Sequence, residues 1–471
     1  MAARSIAAML NFLFVMALAD SLGPEVRKFV RVDAPKIILE HVEVIDGTGT
    51  APRLDQSITI EGGKITAIGT APSGDGATVL DLTGYAVMPG IVGMHDHLWY
   101  QHLATPDRPA VAMTMTYSAP RLYLANGVTT LRTAASVDPY AELSLKHWIE
   151  TGAAPGPHLD VTSPFLSHSQ SQASRLLDLT GPDDARATVA FWADHGVTSF
   201  KAYQDITRDE LRAAIQEAHK RGLKVTGHLC SVTYDEAIAL GIDNLEHGFQ
   251  VNTALDPDKK PDVCSASHGD STLLRLIPGK PEADRLIASL IAHHVAVTST
   301  LVGLSSSANP QRPLRPAVLN ATSPLVRDDY LAWRDRARDL TYLKTLLGRE
   351  TAMERAFVAA GGLLIAGPDP VGIGGNLPGF GDQREIELLV DAGWTPVEAI
   401  KIATLNGATF LGRQDHIGSI APGKNADLVV IKGDPAARIA DVENVEIVFK
   451  DGVGYDSAKL LDSVKGTYGE Y

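Results

Sequence analysis

Two histidines one residue apart, His95 and His97, close the apolar run Pro89-Gly90-Ile91-Val92-Gly93-Met94. Residues two apart in an extended strand point to the same side, so both imidazoles can meet one metal ion from one direction. His228, in Val-Thr-Gly-His-Leu, and His247, in Asn-Leu-Glu-His-Gly, each end another short apolar segment. One strand-end histidine is more often a structural hydrogen-bonding residue than a ligand. Two on consecutive strands, together with the His-x-His pair, point to a site for Zn²⁺ or a similar ion. Lys201 ends the strand Val197-Thr198-Ser199-Phe200. A lysine there needs an acid partner or a depressed pKa to tolerate burial. Two readings stay open: a neutral amine that has taken up CO₂ to form a carbamate able to bridge two cations, or a salt bridge to Asp369 or Asp96. Asp369 closes the apolar run Gly361 to Pro368. Such a carboxylate can ligate a metal, take a proton from metal-bound water and hand it to a leaving group. The alternative is an aspartate capping the next turn.

The elements that must position these residues follow from texture. From Ala86 onward, short apolar strands alternate with helices, the rhythm of a parallel sheet. Thr207 with Glu210, and Thr233 with Glu236, have the capping-box spacing that starts a helix. Thr395-Pro396 adds a proline at a first helical position. Gly222 and Gly241 are read as helix stops. Lys201 stands six residues before Thr207 and His228 five before Thr233. Both therefore lie at the carboxyl ends of their strands, the face on which a parallel barrel gathers its active site. Residues 36–85 and 418–455 instead show β-branched alternation between Gly-rich turns. They are expected to pack as one composite β-sandwich flanking a (β/α)₈ TIM-type barrel over 86–417, an α/β fold. Two stretches, Val251–Asp284 and Ser305–Ser323, interrupt the rhythm and are expected as lids or surface insertions over the catalytic face.

The 471 residues carry a net charge of −14 and no Lys/Arg block, which argues against nucleic acid or an anionic membrane as a partner. A small-molecule substrate is expected, and self-association into a homo-oligomer is left open. Residues 1–19 pair Arg4 with an apolar run from Ile6 to Ala19 that ends in Ala17-Leu18-Ala19. That is the pattern of a cleaved secretory signal, so a periplasmic or secreted protein with no stable membrane anchor after cleavage is expected. The two cysteines, Cys230 and Cys264, either pair as one disulfide or remain as a buried and an exposed thiol.

With Pro-Gly-Ile-Val-Gly-Met-His-Asp-His, Gly-Val-Thr-Ser-Phe-Lys, strand-end His228 and His247, Asp369, and Asn406-Gly-Ala-Thr through Gly418-Ser-Ile-Ala-Pro-Gly-Lys-Asn-Ala-Asp-Leu-Val-Val, the chain resembles the amidohydrolase superfamily. Within it, the chain is similar to the imidazolonepropionase and Xaa-Pro dipeptidase branch. Its Phe-Lys strand also resembles hydantoinases and allantoinases. The resemblance implies that His95, His97 and Asp369 bind a first metal. It further implies that a carbamylated Lys201 bridges to a second, held by His228 and His247. Gly93 stands where the family usually has an aspartate, which removes one carboxyl group behind the metal.

The expected chemistry is hydrolysis of an amide bond in a dipeptide, an N-acyl amino acid or a cyclic amide by metal-bound hydroxide, with Asp369 as general base and acid. A mononuclear deaminase or an ester or lactone hydrolase is the alternative. His168, after the third strand, and Tyr203, on the strand face of Lys201, are candidate oxyanion donors. Arg132, ending the second strand, is a candidate for a substrate carboxylate. Their alternatives are a loop residue, a core filler with a polar tip, and a partner for an acidic neighbour.

Overall fold

The computed structural model describes residues 22–69, 76–102, 110–168, 177–313, 315–336 and 338–470. The expected signal segment 1–19 lies outside them. Both chain ends join, as the β-branched alternation requires, but in one continuous sheet rather than two separate layers. Val30–Val32, Lys36–Val44, Arg53–Glu61, Lys64–Gly69, Thr78–Asp81 and Tyr85–Pro89 combine with Leu428–Lys432, Val445–Lys450 and Val453–Asp456 in nine strands. The joint is antiparallel, with Leu428 opposite Pro89 and Val430 opposite Val87. Lys36–Val44 bends at His41, whose φ is 60°, and so pairs with different neighbours along its length. The sheet thereby packs one apolar face on itself: Leu39, Ile58, Ile60, Val87, Val430 and Phe449 share one buried cluster.

Between the two ends the predicted alternation of parallel strands and helices is present, arranged in two arcs. Ile91–Asp96, Val128–Thr133 and His158–Asp160 form the first. Thr162–Ser167, Ser199–Ala202, Lys224–Gly227, Asn244–Leu245, Ala296–Ser299 and Leu364–Ala366 form the second, with Leu177–Asp178 at its edge. The arcs meet at two seams. At one, the chain passes through Val161 and the Thr162 N–H donates to Thr133 Oγ1 at 2.9 Å. At the other, the Asp369 N–H donates to the His95 carbonyl at 3.0 Å. The capping boxes at Thr207 and Thr233 form as predicted, and Thr395 adds a third with Glu398. Gly241 ends its helix in the left-handed conformation at φ 93°, where a side chain would be strained.

The first interrupting stretch is turns and irregular backbone up to Gly269, then helix Asp270–Arg275; the second is largely helical, with Leu301–Ala308, Pro316–Ala321 and Pro324–Asp335 in and after it. Cys230 and Cys264 form a disulfide with Cα atoms 4.8 Å apart, closing a 34-residue span. That decides between the two readings of the cysteines. Replacing both by serine is expected to cost about 3–4 kcal/mol through restored freedom of the unfolded chain, read as a lower urea midpoint that dithiothreitol reproduces in the parent protein. Among the described residues no helix is long and apolar enough to cross a membrane.

One buried acid outside the expected ligand set gives the fold a pH dependence of its own. Glu142, in helix Pro139–Glu150, is fully buried beside Ser136 and Thr133, and burial pushes its carboxyl up to about 8. The folded state then binds this proton more tightly than the unfolded chain. Its stabilising contribution is complete below about pH 4.5, declines from there to about pH 8, and is absent above. Glu142→Gln is therefore expected to match the parent near pH 4.5 and to exceed it by roughly 3–5 kcal/mol at pH 9, at about 1.4 kcal/mol per pH unit. Urea unfolding at the two pH values checks this.

Candidate metal centre

The carboxyl ends of the parallel strands bring five of the expected ligands into one connected group, with His95 and His97 buried and His228, His247 and Asp369 half-buried. His95 and His97 leave Ile91–Asp96 on the same side, with ring centroids 5.4 Å apart. Asp369, just past Leu364–Ala366, places Oδ1 2.9 Å from His97 Nε2 and 3.6 Å from His95 Nε2. His247 packs 4.6 Å from His95 and 4.3 Å from His228, ring centre to ring centre. Two of these residues sit in left-handed backbone conformations uncommon outside glycine, His247 at φ 62° and Asp369 at φ 55°. Such strain concentrates at functional sites, where the surrounding structure holds it in place.

Which ring nitrogens face the centre follows from the other nitrogen of each ring. His95 Nδ1 lies 2.8 Å from Glu246 Oε2, His97 Nδ1 3.3 Å from the Ala135 carbonyl, and His247 Nδ1 3.1 Å from Thr300 Oγ1. Each leaves Nε2 to face the centre, where those of His95 and His97 meet Asp369 Oδ1. The side-chain amide of Gln204 stands 2.9 Å from His228 Nε2, which leaves Nδ1 of that ring. Partners of this kind fix the tautomer and orientation of metal-binding imidazoles.

Electrostatics agree with this role. Burial, and then the Lys201 ammonium, lower His95 to about 4. Burial, and then His95, lower His247 to about 3. Burial, and then His247, bring His228 well below its ordinary value. All three are neutral at pH 7, the form that binds metals. Burial works to raise the Asp369 carboxyl, but the imidazoles of His95 and His97 outweigh it and hold the group below the usual carboxylate range. The set of neutral imidazoles around one carboxylate fits a divalent cation. His95, His97 and Asp369 are close enough for one ligand atom of each to lie within 4.8 Å of the others.

Lys201 is as buried as its strand requires, at 1 % exposure. Its partner is neither Asp369 nor Asp96 but Glu246, whose Oε1 is 3.8 Å from Nζ. Burial lowers the amine to about 8 against the opposing pull of Glu246. Glu246 is the functional residue that sequence reasoning missed. It is wholly buried and accepts from Arg132 Nη2 at 2.7 Å as well as meeting His95. Although burial raises its carboxyl, Arg132, Lys201 and His95 together hold it well below its ordinary value.

The structure corrects two further expectations. Arg132 is 1 % exposed and its donors are taken by Glu246, Asn244 and the Met94 carbonyl, so no guanidinium is offered to a substrate. It is the partner of an acidic neighbour. His168 is half-exposed, with Nδ1 2.8 Å from Glu210 Oε1 in a helix-capping box; it is not brought to the imidazole group. Tyr203 is brought there. Its ring packs 4.9 Å from His228, and burial, then the charges of Asp369 and Asp205, hold the phenol above its ordinary value, so it stays a donor.

The glycine at 93 also has its explanation. A Cβ there would stand 1.7 Å from Asp96 Oδ2 and 3.1 Å from Asp382 Oδ1. The carboxyl group absent from position 93 is thus supplied from two other directions. Burial, and then Asp382, hold Asp96 well above the carboxylate range, so this pair is not doubly charged. A cavity of about 400 Å³ lies apart from all this, between Val302, Asn309, Trp333 and Arg384, and no expected ligand lines it.

A parallel α/β fold with histidines, a lysine and an aspartate at its strand ends defines a metal-dependent hydrolase class. The chain belongs to the amidohydrolase family, whose model matches residues 86–453. It is accordingly an enzyme of the amidohydrolase family. It is 25% identical to an imidazolonepropionase from Streptomyces griseus, over 85% of this chain and 92% of that one. It is 24% identical to a dihydroorotase from Pelotomaculum thermopropionicum, over 81% and 85%. The fold matches that of a Xaa-Pro dipeptidase solved with methionine in its active site, with a TM-score of 0.66 at 21% identity, covering 89% of this chain and all of that one.

Proposed function

We propose that the protein is an exported binuclear amidohydrolase that cleaves an amide bond in a dipeptide, an N-acyl amino acid or a cyclic amide. The observation that carries this reading is the convergence of four imidazoles with an anionic Asp369 beside a buried Lys201. The two arcs are read as one (β/α)₈ barrel closed at the 133–162 and 95–369 seams, with the active site at its carboxyl-end opening. In this reading His95 and His97 hold one zinc ion with Asp369, and His228 and His247 hold a second. Lys201, lowered to about 8 and so easily deprotonated, would take up CO₂ as a carbamate, releasing a proton, and so would add an anionic ligand to the site. Divalent ions bound there would polarise the scissile carbonyl and bring the pKa of water towards ~7.

The protein's own groups carry the proton and the charge. Asp369 accepts a proton from the attacking water and returns it to the departing nitrogen. Tyr203 donates to the developing oxyanion, a contribution of roughly 2.7–4 kcal/mol for one such donor. Glu246 fixes the His95 ring and balances Arg132. The likeness to an imidazolonepropionase, a dihydroorotase and a Xaa-Pro dipeptidase supports an amide substrate.

A screen of the zinc-loaded protein against dipeptides, N-acyl amino acids, hydantoins and lactones tests the reading. Turnover of at least one amide class is expected; turnover confined to esters or lactones overturns it. The 3.8 Å approach of Lys201 to Glu246 favours a second reading, in which the lysine stays unmodified and one metal serves a deaminase or an ester or lactone hydrolase. Metal content separates the two. Export is supported by the 1–19 segment, and recovery of the protein lacking those residues from the periplasm or medium tests it.

A further inference from the structure

Outside the ligands lies a second ring of side chains that no metal role explains. Trp99, Tyr203 and Val371 each stand two residues beyond a ligand position, His97, Lys201 and Asp369. In extended chain that spacing keeps a side chain on the ligand's side, as at Tyr203; Asp369 is left-handed at φ 55°, so Val371 is placed by its membership of the apolar cluster with Trp99 and Phe165 rather than by alternation. Phe165, opposite Lys201 in strand register, completes the ring. The rings follow one another without a break. His97 to Trp99 is 4.6 Å between centroids, Trp99 to Phe165 6.4 Å, Phe165 to Tyr203 4.7 Å and Tyr203 to His228 4.9 Å. Trp99, Phe165, Val371, Ala112 and Ala135 form an apolar cluster separate from the main core, with Tyr203 and Ile373 packed against it. The indole N–H is already directed at the Ala135 carbonyl at 3.4 Å, so the face of this wall is apolar.

We infer that this aromatic belt is the acyl-side pocket, and that the substrate carries an apolar, preferably aromatic, group next to the scissile carbonyl. The inference rests on the proposed amide chemistry and deepens it. Asp369 must reach the leaving nitrogen, so the leaving group lies on its side of the opening. Phe165 and Tyr203 belong to the third and fourth parallel strands, across the proposed barrel from the strand of Asp369, which assigns them to the acyl side; Trp99 reaches that side through its ring contact with Phe165, and Val371, on the strand of Asp369, closes the other end of the belt. Arg132, the cation expected to meet a substrate carboxylate, is locked behind the ligands.

Two measurements on the zinc-loaded full chain test this. In the first, kcat/KM is compared for N-phenylacetyl-L-alanine and N-succinyl-L-alanine. A preference of about 10–200-fold for the phenylacetyl compound is expected, the range open to an apolar pocket, and Trp99→Ala or Trp99→Leu should reduce it to within roughly threefold. In the second, calorimetry compares phenylacetohydroxamate with acetohydroxamate, with about tenfold tighter binding expected for the phenyl compound. Amide turnover with no acyl preference overturns the belt assignment while leaving the amide reading intact. Equal hydroxamate affinities also overturn it. A hydroxamate preference without any amide turnover supports the belt and removes the amide reading.

Discussion

Asp369→Asn is expected to leave a folded protein that keeps its metal while kcat for amide hydrolysis falls by about 10²–10⁴-fold, the usual contribution of a positioned general acid–base group. The substitution is nearly isosteric, and asparagine tolerates the φ of 55° at this position better than most residues, so backbone strain does not rise. What is lost is the ability to take a proton. In the parent, the surrounding imidazoles hold the carboxyl anionic despite burial, so it is ready to accept throughout the neutral range. The four histidines remain to retain zinc. Steady-state kinetics alongside metal analysis by mass spectrometry checks both halves. A variant with unaltered metal and kcat within roughly threefold of the parent contradicts the role given to Asp369.

Glu246→Gln is expected to cost about 3–5 kcal/mol of stability, the penalty for breaking a buried ion pair from one side. Arg132 and Lys201 are each 1 % exposed and face this single carboxylate from two other strands, Val128–Thr133 and Ser199–Ala202. In the metal-free protein, where Lys201 is an unmodified amine, glutamine keeps the shape and leaves both cations without a counter-charge. It also weakens the acceptor that fixes His95, so metal affinity should fall by about 10–100-fold, as for other partners of metal-binding histidines. Chemical denaturation and competitive chelator titration read the two effects separately. Stability within about 1 kcal/mol of the parent contradicts the account of these charges.

The strand-end ligands are legible because each closes an apolar run with a polar residue, and Lys201 and His228 also stand six and five residues before a helix cap. Such a pattern leaves few places for the side chain to go. Glu246 is not, because strict alternation puts it on the face opposite His247. The chain leaves the extended conformation at His247, φ 62°, and this lets both residues serve one centre. The available signal was charge: Glu246 is as odd in its apolar segment as Lys201 in its own, and the two belong together. Arg132 was placed at the correct strand end but given the wrong direction. Residue spacing fixes where a guanidinium starts, not where its long stem carries it. The terminal sheet shows the same limit. Alternation revealed strands at both ends, whereas the register joining Leu428 to Pro89 into one sheet depends on long-range pairing.

Crystals of the full chain grown with zinc, with anomalous diffraction collected at the zinc absorption edge, address the central proposal most directly. It predicts one peak bound by His95 Nε2, His97 Nε2 and Asp369, a second bound by His228 Nδ1 and His247 Nε2, and continuous density running from Lys201 Nζ between them. Zinc found only away from these side chains, with Lys201 still paired to Glu246, would contradict it.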